Sequence, residues 1–378
     1  MSEEKIKPWL DADRATQLLK TGFGFNAGSV RELESYDDRN FYMKLDNSDR
    51  AFESYPGGFV LKVTNWVESQ QREFLECIYA LLEHVCKTIP TSRPIRTVSG
   101  HMFTTEVFPI GSQCSSTSKE CVVRLFSFLA GETLSEKKVW PSTCLQWGSL
   151  MGRLHVATKG LSFPAIIDRS TVWSFLSVRK IDQYLDTVGL NDEEKKLVED
   201  VLTGFQNVFP RVQQLPQGVL HGDLNEQNVL VRLRGGGAEA DMDVYAVLDW
   251  GDVQWGPLVW DLAVMLTYVA IAPTASRHRY ENVAYAMAGY MQHIGCDCRD
   301  PSILKTLMCS RLCQSLVLGR HAKLQNPGND YVLYTQRRGW KVLRKLWKTP
   351  ISELVSTWNV VLRENEVEEF CIDSARAS

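Results

Sequence analysis

At 378 residues and 42.9 kDa the chain is long for one hydrophobic core, and at roughly 150 residues per domain it divides into about two. Its 44% hydrophobic and 23% charged residues exclude a disordered, collagen-like or coiled-coil chain. Lys and Arg (42) nearly balance Asp and Glu (45), for a net charge of -3, so no chain-wide positive field attracts nucleic acid or an anionic membrane.

The start, Ser2-Glu3-Glu4-Lys5, lacks the apolar core of a secretory signal, and the longest apolar run, Leu262 to Ala272, is too short to cross about 30 Å of hydrocarbon. A cytoplasmic protein with no obligate protein partner is expected. The 10 cysteines are too sparse for a disulfide scaffold and are expected as thiols. Neither Cys296-x-Cys298 nor the pair Cys309 and Cys313 forms a zinc pattern, and small buried hydrophobes are the expected role.

Short extended segments come first: Ser29 to Leu33, Phe41 to Leu45 and Phe59 to Val63, separated by Asp/Arg/Asn and Pro-Gly-Gly clusters. Phe74, Ile78, Leu81, Leu82 and Val85 then recur at helical spacing, before further strands at Met102–Val107 and Val122–Phe128. This predicts a five-strand, one-helix layer. From Gly131 onward Cys144–Val156, Val172–Leu185 and Glu193–Val208 read as helices. A β-hairpin interrupts them, with Val219-Leu220 and Val229–Val231 leading through Gly235-Gly236-Gly237 to Tyr245–Leu248; helices resume from Asp261 to Leu362, and the tail from Val367 is expected to fray. The fold class is therefore α+β, with a small antiparallel β-sheet part over 1–128 and a larger, mainly α-helical part over 129–378.

The informative segment is His221-Gly222-Asp223-Leu224-Asn225-Glu226-Gln227-Asn228, with the His-x-Asp-x-x-x-x-Asn spacing of kinase catalytic loops. Such a loop aims the Asp223 carboxylate at a substrate hydroxyl while Asn228, five residues on, offers its amide oxygen to a metal held by nucleotide phosphates. Leu248-Asp249-Trp250-Gly251 follows and resembles the metal-binding Asp-Phe-Gly element. Three fixed positions recur by chance at about 1 in 8000 per window, so the order of the other parts matters. Phe59–Val63 is an apolar strand carrying Lys62, and the next helix carries Glu76, fourteen residues later, expected to hold that lysine at the phosphates, with Glu73 and Glu68 as rivals. His221 is read as a loop-shaping residue and His155 as a packed one.

With His221-Gly222-Asp223 in place of His-Arg-Asp, no Gly-x-Gly-x-x-Gly before Lys62 and no Ala-Pro-Glu after Asp249, the chain resembles the aminoglycoside phosphotransferase and choline kinase superfamily rather than protein kinases. Further segments are similar to the hydroxylysine kinase group within it: Ser35-Tyr36-Asp37-Asp38-Arg39-Asn40-Phe41, Cys309-Ser310-Arg311-Leu312-Cys313-Gln314-Ser315, and Asn329-Asp330-Tyr331 with Gly339-Trp340-Lys341.

The resemblance implies a bilobal protein-kinase-like fold, with the family domain over about 30–300 and a nucleotide between the lobes. It also implies phosphoryl transfer from GTP or ATP, with Mg²⁺, to a small amino-bearing alcohol, 5-hydroxy-L-lysine for that group. Asp223 would be the catalytic base, Asn228 and Asp249 the metal ligands, and Lys62, Glu76, Asp38 and Asn40 the nucleotide-binding residues. Asp252 and Arg311 are assigned to the substrate, or else to a helix-bridging ion pair. Kinases of choline, ethanolamine, homoserine or an aminoglycoside are alternatives, as is a nucleotide-binding pseudokinase.

Overall fold

The computed structural model describes residues 6–371 apart from 34, 36, 37, 50, 136, 235–241, 275–278, 296, 297, 299, 326, 328–332 and 334. The glycine run at 235–237, Cys296 and the Asn329-Asp330-Tyr331 segment lie outside the described residues, as do Tyr36 and Asp37. The chain divides into two compact units at Ala130/Gly131, two residues beyond the boundary read from the sequence.

In the first unit α1 (Ala12–Leu18), started by the Asp11 side chain accepting from the Arg14 amide, runs into a π-helical turn over Leu19–Phe23. The strands are β1 (Ala27–Leu33), β2 (Arg39–Leu45), β3 (Phe59–Val63), β4 (Pro94–Ile95), β5 (Thr104–Pro109) and β6 (Ser118–Ser127), with α2 (Arg72–Val85) between β3 and β4. They form one antiparallel sheet in the order β1-β2-β3-β6-β4, with β5 also on β6. Strand alternation sends Phe41, Met43 and Leu45, and Phe59, Leu61 and Val63, into a core closed by Leu18, Leu19 and Phe23. The two-residue β4 and the opening helix are additions to the five-strand, one-helix reading.

The second unit is built around α6 (Leu258–Ile271), buried from Val259 to Ile271. Its other elements are β7 (Glu132–Thr133), α3 (Pro141–Thr158), α4 (Pro164–Ile167), α5 (Asp192–Val212), β8 (Gln217–Leu220), β9 (Val229–Leu233), β10 (Met242–Val247), β11 (Gln254–Pro257), α7 (Arg279–Met291), α8 (Pro301–Gln325), α9 (Gln336–Lys348) and α10 (Ile351–Glu364). Helices α3 and α7 approach backbone to backbone: a Cβ on Gly148 would stand 1.8 Å from the Ala286 carbonyl oxygen, and one on Gly289 would stand 1.9 Å from that of Leu145.

Two expectations, one for a helix and one for the tail, change. The segment read as a helix from Val172 is a 3₁₀ helix over Phe175–Tyr184, entered through the Ser174 side chain. Of the tail, Phe370 is buried against Trp358, with its amide bonded to the Asn359 side chain.

The expected hairpin is β9–β10, joined by β7. A second ribbon, β8–β11, accompanies it. The four strands leave two loops, 221–228 between β8 and β9 and 248–253 between β10 and β11, and these carry the His221–Asn228 and Asp249–Gly251 motifs.

Candidate active site

The 221–228 loop is pinned from α6. The buried Asp261 carboxylate accepts the His221 amide at 2.7 Å and the Gly222 amide at 2.9 Å, and it lies 3.2 Å from His155 Nε2. Burial works against this carboxylate, but His155, His221 and the Gly222 N–H outweigh it and hold its pKa below the ordinary value. Gly222 adopts φ 83°, and a Cβ there would meet the Asp252 carbonyl oxygen at 2.2 Å, so the arginine of a His-Arg-Asp loop has no room.

His221 shapes the loop as a neutral imidazole. Its Nε2 donates to the Leu248 carbonyl at 2.9 Å, tying the two loops together, and its Nδ1 accepts the Asp223 amide at 3.3 Å. Burial lowers its pKa, against the pull of Asp261, and the ring packs on Trp250 with centroids 5.0 Å apart.

Asp223 Oδ2 accepts from Asn225 Nδ2 at 2.8 Å and from Asn228 Nδ2 at 3.2 Å, and Asn228 Nδ2 also donates to the Asp223 carbonyl at 2.8 Å. With its amino group spent in this way, Asn228 has Oδ1 as its remaining acceptor atom. Asp249 holds φ 50°, outside the ordinary range for a non-glycine residue, with Oδ1 accepting the Gly251 amide at 3.0 Å.

The remaining partner of Asp223 is Arg311 of α8, whose Nη2 lies 2.7 Å from Asp223 Oδ1. Arg311 is 1% exposed, donates through Nη1 to the Trp173 carbonyl at 2.8 Å, and lies over the rings of Trp173 (5.0 Å) and Tyr268 (5.8 Å). Gln314, one turn on, donates to the carbonyls of Val172 and Ser174 at 2.6 and 3.1 Å, fixing the same segment. Arg311 is thus ion-paired here, to Asp223 of the 221–228 loop and not across two helices as the alternative role expected.

Negative charge accumulates here. Burial pushes Asp223 up to about 8; Arg311 pulls the other way, and Asp252 and Asp249 add to the rise. Asp252 is likewise raised by burial and by Asp249, against Arg169 and Arg311. Among the described residues no three His, Cys, Asp or Glu side chains form a metal-binding group by themselves. The oxygens of Asn228 and Asp249 nevertheless suit a hard cation completed by phosphate and water ligands, and clustered carboxylates with raised pKa values are the setting a divalent cation relieves.

In the first unit Lys62 stands in register between Asn40 of β2 and Arg124 of β6. Its Nζ is 2.8 Å from Asp38 Oδ2. Burial raises the Asp38 pKa, but Lys62 and the Asn65 amide, which donates to Oδ1 at 2.7 Å, bring it below the ordinary value. The ion pair at Lys62 is thus made by Asp38, where the sequence reading assigned Glu76. Glu76 points off the exposed side of α2 and lines a cavity with Arg72, Arg96 and His101, because the buried side of that helix is filled by Phe74, Leu75, Ile78 and Tyr79. Of the two rivals, Glu73 is exposed on the same helix, and Glu68 starts the preceding 3₁₀ turn with its amide donating to Asn65 Oδ1 at 3.0 Å. Asn40 Oδ1 is buried without a hydrogen-bond partner.

Asp261, Asn225, Trp173 and Gln314 were not singled out in the sequence. Asp261 left one signal, a lone carboxylate at the head of an apolar run; the others acquire their roles from chain packing alone.

A kinase-type catalytic loop, a metal-binding-type Asp-Trp-Gly loop and a lysine on an antiparallel sheet define a small-molecule phosphotransferase of protein-kinase-like fold. The chain belongs to the phosphotransferase enzyme family, whose model matches residues 29–293. It is 28% identical over 352 residues to a hydroxylysine kinase of Xenopus laevis, covering 90% of each protein. It is 27% identical over 365 residues to one of Danio rerio, covering 95% of this chain and 97% of that one. Among solved structures it is similar to an amicoumacin kinase in complex with AMP-PNP, Ca²⁺ and Ami, with a TM-score of 0.63 at 15% identity, covering 91% of this chain and 97% of that one. No helix among the described residues is long and apolar enough to cross a membrane.

Proposed function

We propose that the protein transfers the γ-phosphoryl group of a nucleoside triphosphate, GTP or ATP, to the hydroxyl of 5-hydroxy-L-lysine. The observation that carries the transfer is the state of Asp223, a carboxylate fixed by Asn225, Asn228 and Arg311 at the head of a kinase-type loop. The choice of acceptor is supported by likeness to hydroxylysine kinases over 90% or more of the chain.

The acceptor hydroxyl gives its proton to the Asp223 carboxylate as its oxygen bonds to the γ-phosphorus. The bond from that phosphorus to the β–γ bridging oxygen breaks, and the nucleoside diphosphate leaves with the electron pair. Positioning and charge stabilisation supply most of the rate in such reactions. Asn228 and Asp249 would hold Mg²⁺, which neutralises phosphate charge. Lys62, steadied by Asp38, serves the phosphates that are not transferred, and Asn40, its register neighbour on β2, is the adjoining polar residue. Asp252 receives an ammonium group of the acceptor. Arg311 favours the ionised form of Asp223 against the rise that burial imposes and aligns it, which leaves Arg311 paired rather than free for the acceptor's carboxylate.

A nucleotide-consumption assay tests this with 5-hydroxy-L-lysine, homoserine, choline, ethanolamine and an aminoglycoside as acceptors, each with GTP and ATP. Hydroxylysine is expected to give the highest turnover. Turnover confined to another acceptor would replace the substrate and keep the chemistry, whereas none with any acceptor would favour a nucleotide-binding pseudokinase.

A further inference from the structure

A second charged site lies on the second unit, built from residues that the phosphoryl-transfer loops do not use. Helix α9 carries Arg337, Arg338, Lys341, Arg344, Lys345 and Lys348 and no acidic residue. Its apolar side, with Trp340, Val342, Leu343 and Leu346, is buried, so the cations are displayed outward. Arg344 is neutralised by Glu193 and Glu194 of α5. The others are arranged differently. Arg337, Arg338, Lys341 and Lys345 line a cavity of about 560 Å³ whose facing walls are Arg279 and Tyr280 from the start of α7 and Glu353 and Thr357 from α10.

Among the described residues, five cations therefore line one cavity with a single carboxylate. Among the described residues no salt bridge engages Arg338, Lys341 or Lys345, although cations elsewhere on this unit find acids readily, as Arg211 does with Asp300 and Arg320 with Glu194. Lys345 lies 5.6 Å from the Tyr280 ring centroid, and Arg279 is held in place by donating to the Ala272 carbonyl at 3.0 Å. Burial lowers the Arg279 pKa, and the Arg338 charge lowers it further, the mark of like charges facing each other. Holding Arg279, Arg338, Lys341 and Lys345 together against one carboxylate, Glu353, costs stability.

We propose that this cavity is a binding site for a small polyanion carrying two or more phosphate groups. Three helices wall it, and its volume falls in the range of small-molecule sites, roughly 300–1,000 Å³. That shape suits a compact ligand better than a nucleic-acid strand, which needs an extended track. Guanidinium forks and lysine point charges supply the usual recognition of phosphate.

The probe is inorganic pyrophosphate, titrated calorimetrically into the full chain at fixed ionic strength, with the Lys62→Ala variant, which removes the cation assigned to the nucleotide phosphates, run in parallel. Binding that survives Lys62→Ala and weakens at least tenfold in the double variant Arg338→Glu/Lys341→Glu supports the site. The milder pair Arg338→Gln/Lys341→Gln, with folding verified by circular dichroism, should weaken it in the same direction. No binding beyond the ionic-strength control, or equal affinity in the wild type and the glutamine pair, overturns the proposal.

Discussion

Arg311 and Asp223 meet at 2.7 Å, the arginine 1% exposed and the aspartate at the head of the catalytic loop. The pair joins α8 to that loop, and through the Trp173 carbonyl it also fixes the segment leading into the 3₁₀ helix. Because the guanidinium favours the carboxylate form, removing it must push the Asp223 pKa further up. Arg311→Met should move the ascending limb of the kcat/KM pH profile to higher pH and lower the rate at pH 7 by about 10²-fold, the scale of one misplaced proton acceptor. Arg311→Lys, which keeps the charge and loses the fork, should recover part of the pH shift. A pH profile identical to wild type in Arg311→Met would show that the pair only packs the helix.

The ion pair at Lys62 separates two readings of the first unit. Asp38→Ala removes the carboxylate 2.8 Å from Lys62, so the KM for the nucleotide should rise about tenfold, the effect of about 1.4 kcal/mol. Glu76→Ala, on an exposed helix face, should change neither KM nor stability by more than about 0.5 kcal/mol. Steady-state kinetics of both variants decides it; a larger defect in Glu76→Ala would restore the pairing read from the sequence.

The raised Asp223 pKa has a consequence for stability. Its folded value is about 8 against an ordinary 3.8, so between these limits the folded state binds the proton more tightly than the unfolded state. The stability this confers is complete below pH 4 and is lost as pH rises through about 8. Asp252, shifted in the same direction, adds to the slope. Without divalent cation, Tm should fall from pH 6 to pH 9, and Asp252→Asn should flatten that fall. Added Mg²⁺ should raise Tm more at pH 8.5 than at pH 6; equal increments at both would contradict the charge cluster.

The hairpin, the two loops and Lys62 were legible because each rests on a local pattern: alternation in Phe59–Val63, fixed spacing from His221 to Asn228, and a strand leading into Asp249-Trp250-Gly251. Glu76 misled because a strand lysine and a helix glutamate fourteen residues apart say nothing of helix rotation. That rotation was set by Phe74, Ile78 and Tyr79 going inward. The β8–β11 ribbon was missed because Gln217–Leu220 and Gln254–Pro257 are four-residue strands whose pairing is non-local. The anchoring role of Asp261 requires knowing which backbone α6 passes beneath.

That anchoring is testable by itself. Asp261→Asn keeps the volume and turns part of an acceptor into a donor facing the His221 and Gly222 amides, leaving a buried N–H group poorly satisfied. A loss of about 1–3 kcal/mol in chemical denaturation is expected. Where the variant stays folded, kcat should fall far more than KM changes, since the loop that presents Asp223 is displaced while the nucleotide contacts remain. Unchanged kcat would mean that the loop holds its shape without the anchor.

The most direct measurement of the central claim is mass-spectrometric detection of phosphorylated 5-hydroxy-L-lysine formed by the wild type and by Asp223→Ala with GTP or ATP and Mg²⁺, alongside nucleotide affinity by calorimetry. The wild type should form the product, and the variant should form at least about 10³-fold less at unchanged nucleotide affinity. Near-normal product formation by Asp223→Ala would contradict its role as the base that accepts the hydroxyl proton.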